Sequence, residues 1–120
     1  MLFVVPHDMT YWGNPAIVFL KSAEANPRGT TLKEMARKCN CSPATLRRKV
    51  EEREHGKTPR RIKEGQTLHL MRHYILRTTL PFKTVALHVG FKNASQFSHY
   101  CVRHTSKTPR AIRATGKWPV

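Results

Sequence analysis

The sequence predicts an all-α protein of about seven helices, built as two copies of a helix, tight turn, helix unit joined by a long linker helix. Three observations carry this. Lys57-Thr58-Pro59-Arg60-Arg61-Ile62 returns as Lys107-Thr108-Pro109-Arg110-Ala111-Ile112, identical at five of six positions and offset by 50. Apolar residues recur at i, i+3, i+4 and i+7 in both copies, the spacing of one helix face. No run alternates polar and apolar residues long enough to make a strand.

The elements follow in order. Residues 1–14 form a segment with no clear reading. Pro15 to Ala25 reads as a helix carrying Ile17, Val18 and Leu20, ended by Asn26-Pro27-Arg28-Gly29. Thr31 caps the next helix, with Glu34 at the third position of a capping box. Leu32, Met35, Ala36 and Cys39 form its apolar face. Asn40 stands where the helix must stop, and Gly90 stands there in copy two; both residue types tolerate the left-handed backbone that a helix end needs. Ser42-Pro43 opens the following helix, a hydroxyl cap with proline in the first turn. Its inward residues are Leu46 and Val50. Thr58-Pro59 opens the linker helix, which runs to about Thr78 with Ile62, Leu68, Met71, Ile75 and Leu76 on its apolar side. Gly65 inside it costs ~1 kcal/mol against alanine.

Leu80-Pro81 starts copy two, where Phe82, Val85, Ala86 and Val89 repeat the first stripe. Asn93 caps its second helix, Phe97 and Cys101 anchor it, and Thr108-Pro109 opens a short last helix. The offset of 50 pairs Lys33 with Lys83, Ala36 with Ala86, Asn40 with Gly90 and Ala44 with Ala94; it becomes 51 where Leu46 meets Phe97 and Val50 meets Cys101. The expected organisation is residues 1–14, a first subdomain over 15–56, a linker helix over 57–79 and a second subdomain over 80–120.

Charge narrows the function. Lys and Arg number 22 against 7 Asp and Glu, for a net charge of +15. All seven acids lie at or before Glu64, so nine later cations have no acidic side chain in their own half. Such a surplus calls for a polyanionic partner. The 39% hydrophobic content is too high for a disordered basic tail. No apolar run approaches the ~20 residues of a membrane span, and the segments are too short and broken for a membrane-surface helix. No secretory signal is expected, since no basic start precedes an apolar stretch. Three cysteines make no disulfide framework and fit a reducing cytoplasm.

Tempting chemical sites have plainer readings. Cys39-x-Cys41 lacks the spacing and further ligands of structural zinc, and both residues fall at inward positions. His69 and His73 share a helix face, but no third ligand is evident. No nucleophile–base pair, carboxylate pair or glycine-rich phosphate loop stands out. Neither an enzyme, nor a metal, nor a cofactor is expected.

A helix–turn–helix places its second helix in the major groove, which is just wide enough to admit one. The reading helices are expected at 43–53 and 93–104. The outward face of the first is Ala44, Thr45, Arg47 and Arg48, with Lys49 at its margin. That of the second is Asn93, Ala94, Ser95, Gln96, His99 and Arg103, preceded by Lys92. Arginine reads guanine bidentately and glutamine reads adenine. The plainer reading pairs Arg47 with Glu51 and Arg48 with Glu52 at i+4 on a solvated face, and takes Ser95 and Gln96 as ordinary surface residues.

The pattern Val85-Ala86…Gly90-Phe91…Ser95-Gln96-Phe97-Ser98…Arg103…Thr108-Pro109…Ile112-Arg113 resembles the DNA-binding domain of AraC/XylS-type transcription regulators. The resemblance covers about residues 16 to 113. It implies seven helices, two reading helices in successive major-groove segments, promoter activation through RNA polymerase, and a place on the bacterial nucleoid. By position, the base-reading and backbone-contacting sites fall on Ala44, Arg47 and Arg48, and on Ala94, Ser95, Gln96 and His99. The family usually has arginine where His99 stands, so a weaker, pH-sensitive contact is expected. Thr105 and Ser106 replace an aromatic and a glycine, and Cys101 replaces an aromatic, so looser packing of the second unit is expected. The 120 residues leave no room for a small-molecule effector domain, which points to control by abundance or a protein co-regulator.

The resulting expectation is a sequence-specific binder of double-stranded promoter DNA acting as a transcription regulator, an activator by resemblance. Two rivals are a small basic RNA-binding protein and a protein-interaction or anti-activator module with decayed DNA contacts. The first lacks an exposed aromatic stacking platform. The second would use residues 1–14, with Phe3, Tyr11 and Trp12.

Overall fold

The computed structural model describes residues 14–119, so Phe3, Tyr11 and Trp12 lie outside the described residues. Among the described residues there are seven helices and no strand: α1 (Pro15–Ala25), α2 (Leu32–Lys38), α3 (Pro43–Arg53), α4 (Pro59–Arg77), α5 (Phe82–Val89), α6 (Ala94–Thr105) and α7 (Pro109–Thr115). The chain forms two compact units that divide inside α4, the first ending at Glu64 and the second beginning at Gly65.

Side-chain caps set the helix starts. Asn14 accepts from the Ala16 N–H at 3.1 Å, Thr31 from Glu34 at 3.2 Å, Ser42 from Thr45 at 3.1 Å, Thr58 from Arg61 at 3.2 Å, Asn93 from Gln96 at 2.9 Å and Thr108 from Ala111 at 3.1 Å. Each satisfies a backbone donor that the first helical turn leaves without a partner. The Glu34 half of the expected capping box is not made; its carboxylate lies 3.7 Å from Arg37 instead.

In the first unit, α1 contributes Ala16, Val18, Phe19 and Ala23 to a core completed by Met35, Ala36, Leu46, Val50 and Ile62. Phe19 is its largest fully buried side chain and was not among the α1 residues expected inside. Cys39 and Cys41 pack at its edge, half-buried. In the second unit, Met71 and Ile75 of α4 meet Val85, Ala86 and Val89, the turn residue Phe91, then Phe97, Tyr100, Cys101 and Ile112. Phe91 stands edge-on to Phe97 at 5.8 Å and to Tyr100 at 5.2 Å between ring centroids. Burying each such ring contributes about 1.5–3 kcal/mol. Cys101 is fully buried and donates its thiol to the Lys107 carbonyl at 3.3 Å.

The two turns share one construction. The Cys41 N–H reaches the Ala36 carbonyl at 3.0 Å, and the Phe91 N–H reaches the Ala86 carbonyl at 2.8 Å. Asn40 has φ +60° and Gly90 has φ +107°, the left-handed geometry such a six-to-one closure requires. The offset is therefore 50 through the turn. It is 51 from the caps onward, because Ser42 and Asn93 cap equivalent helices. Lys92 is the extra residue. This corrects one expected pairing: Ala44 stands opposite Ser95, not Ala94, since the cap bond defines where each helix starts.

Candidate nucleic-acid interface

Leu46 and Val50, both fully buried, fix the roll of α3 about its axis. Ala44, Arg47, Arg48 and Lys49 are consequently exposed, and Thr45 is half-buried. Thr45 is partly committed, since its hydroxyl accepts from the Ser42 hydroxyl at 2.9 Å. Arg47 donates from Nε to the Glu51 carboxylate at 3.0 Å, as the plainer reading expected for that residue. Arg48 makes no ion pair among the described residues, so the pairing with Glu52 does not form. Ala44, Arg47, Arg48 and Glu51, with Leu32 and Pro43, line one shallow concavity of about 350 Å³. Three expected reading residues thus share a surface with a carboxylate that sequence reasoning had assigned only to ion pairing. Spacing alone could have found it: Glu51 follows Ala44 by seven residues and Arg48 by three.

On α6, Phe97, Tyr100 and Cys101 turn inward. Lys92, Asn93, Ser95, Gln96, His99 and Arg103 are exposed, and Ala94 is half-buried. The Asn93 side-chain oxygen is occupied by the cap bond. Gln96 Oε1 accepts weakly from the Lys92 N–H at 3.4 Å, which leaves its amide NH₂ as a donor. The Arg103 guanidinium lies 5.7 Å from the centre of the Tyr100 ring, and the His104 ring centre lies 4.3 Å from that of Tyr100. The cap register places Val102, 40% exposed, where α3 has Glu51. Sequence reasoning had not singled out Val102.

Elsewhere the titratable groups follow burial. Burial pushes the Cys39 thiol upward, and Cys41 adds to the shift. Burial lowers Lys63, with Arg28 as a second cause. The His73 ring stands edge-on to Tyr74 at 5.4 Å. Among the described residues no three His, Cys, Asp or Glu side chains are grouped to hold a metal ion, and no helix is long and apolar enough to cross a membrane.

Residues 35–115 match the family model described as a helix-turn-helix domain. No curated protein sequence matches the chain. Solved structures of similar fold include a DNA-binding transcriptional dual regulator from Escherichia coli K-12, 17% identical with TM-score 0.67 and 97% of each chain covered. Another is the C-terminal domain of AraT, a response regulator from Geobacillus stearothermophilus: 21% identity, TM-score 0.65, 95% of this chain and 88% of that one. A third is an AraC-type DNA-binding-domain regulator from Chromobacterium violaceum: 19% identity, TM-score 0.66, 96% of this chain and 100% of that one. With two capped turn units and a family match over more than half its length, the chain belongs to the AraC-type helix-turn-helix family of DNA-binding transcription regulators, which is not a class of enzymes.

Proposed function

We propose that the chain regulates transcription by sequence-specific binding of double-stranded promoter DNA, with α3 and α6 as the reading helices in successive major-groove segments. One observation carries this reading. Each helix is capped at its N-terminus, anchored by buried residues on one side, and exposes polar side chains on the other: the cations Arg47, Arg48 and Lys49 on α3, and Gln96, His99 and Arg103 on α6. In this reading Ala44, Thr45, Arg47 and Arg48 face bases or sugar–phosphate along α3. Ala94, Ser95, Gln96 and His99 do so along α6, while Lys92, Asn93 and Arg103 hold phosphates at its two ends. Phosphate contacts set register and affinity, and base-edge contacts set sequence.

Selection of bound sequences from a random duplex pool tests the reading. One enriched motif with two blocks of preferred bases is expected, and structured RNA should compete poorly at equal mass. Absence of enrichment, or equal competition by RNA, contradicts it. Roughly eight phosphate contacts would give a log–log salt slope near −7. Contact with RNA polymerase and promoter activation complete the proposal. Because the Escherichia coli structure is of a dual regulator, transcription in vitro from a promoter carrying the motif should be scored in both directions.

A further inference from the structure

We infer that Glu51 is a positioning residue for base recognition by α3, an inference that rests on the reading just proposed. Its carboxylate takes Nε of Arg47 at 3.0 Å. With Nε held, the guanidinium plane is fixed and its two terminal nitrogens form the free edge, the fork that suits the O6 and N7 acceptors of guanine. The Arg47 side chain stays 60% exposed while that of Glu51 is 32% exposed, so the carboxylate is the more sheltered, anchoring partner. Both line the concavity that also holds Ala44 and Arg48.

The placement has a cost that points to recognition. A carboxylate beside phosphates repels them and lowers affinity for every duplex. Against the correct base that loss is outweighed by an arginine already held in its bound geometry, since less rotamer freedom is lost on binding. Against a wrong base nothing offsets it. Glu51 therefore widens the gap between right and wrong sites. The arrangement belongs to the first reading helix only, because the matching position of α6 is Val102.

The test measures binding of the whole chain to its selected duplex and to a scrambled duplex at ~150 mM salt. Glu51→Gln should bind the scrambled duplex roughly threefold more tightly and the selected one roughly tenfold more weakly. The lost preference should map to the base positions that Arg47→Ala also relaxes. In an Arg47→Ala background, Glu51→Gln should shift both duplexes by one common factor. Glu51→Asp, which keeps the charge but shortens the reach, should restore weak scrambled binding without restoring preference. Far-ultraviolet circular dichroism melts confirm that each variant is folded. If Glu51→Gln moves both duplexes equally in the wild-type background, the carboxylate is only a charge or a helix-surface ion pair and the inference fails alone. If the wild-type chain itself does not discriminate, the functional reading fails and takes the inference with it.

Discussion

Arg113, on α7, donates from Nη2 to the main-chain carbonyl of Tyr74 near the end of α4, at 3.1 Å. The same guanidinium reaches the Ile75 carbonyl from Nε at 3.0 Å and the Leu80 carbonyl from Nη1 at 2.8 Å. It also lies 4.2 Å from the centre of the Phe82 ring. Tyr74 and Ile75 are among the last four residues of α4, whose carbonyls have no partner within the helix. One side chain thus ties the end of α4, the link at Leu80, α5 and α7 together.

Arg113→Ala should accordingly destabilise the second unit by about 2–4 kcal/mol, since it removes charge-assisted hydrogen bonds from partly buried carbonyls. Arg113→Lys should recover little, because an ammonium cannot span three carbonyls and stack on a ring. Urea unfolding checks both; a loss below about 0.5 kcal/mol for Arg113→Ala would contradict this role.

Two backbone positions carry the less favourable residue and should respond to opposite exchanges. Ser106 holds φ +65°, a left-handed helix end where glycine escapes the side-chain penalty. Gly65 sits in the α4 helix with nothing within 4 Å of where a Cβ would stand. Ser106→Gly should raise stability by about 0.5–1 kcal/mol and Gly65→Ala by ~1 kcal/mol, read as higher unfolding midpoints.

Burial pushes the Cys101 thiol above its ordinary range, and the hydrogen bond with Thr105 offsets only part of that. The folded state therefore holds this proton more tightly than the unfolded chain. The stabilising contribution is complete below the ordinary thiol pKa of about 8.5. It is lost as pH rises through the folded value. The stability difference between the wild-type chain and Cys101→Ala should shrink on going from pH 7 to about pH 9.5; a difference that stays constant would contradict the assignment.

Arg48 and Lys92 should behave differently on DNA. Arg48 lines the α3 concavity without an ion pair among the described residues, whereas Lys92 is the extra turn residue before the α6 cap. Arg48→Ala should cost about 1–3 kcal/mol and relax preference at one or two base pairs. Lys92→Ala should weaken all duplexes alike and reduce the salt slope by about 1. Identical behaviour of the two variants would remove the division between reading and positioning residues.

Much of the architecture was legible because local chemistry writes it. Thr31, Ser42, Thr58, Asn93 and Thr108 each announce a helix start within three residues of the donor they cap. Asn40 and Gly90 announce two turns through one backbone requirement. What escaped the sequence depends on partners far apart in the chain. Arg113 bonds carbonyls 33 to 39 residues upstream, and nothing near it foretells that. Only the pairing of Ala44 slips by one, because the extra residue Lys92 sits in a turn, where apolar periodicity gives no ruler. The i+4 spacing makes Glu51 a surface partner of Arg47, yet its share in the same concavity emerges only once Leu46 and Val50 fix the roll of α3.

The most direct test of the central claim is a titration of the purified chain with its selected duplex and a scrambled duplex of equal length at ~150 mM salt. Two reading helices that recognise base edges should favour the selected duplex by about 10³ or more. Affinities within about threefold of each other would mean that the +15 charge binds phosphate without reading sequence, and the account would be wrong.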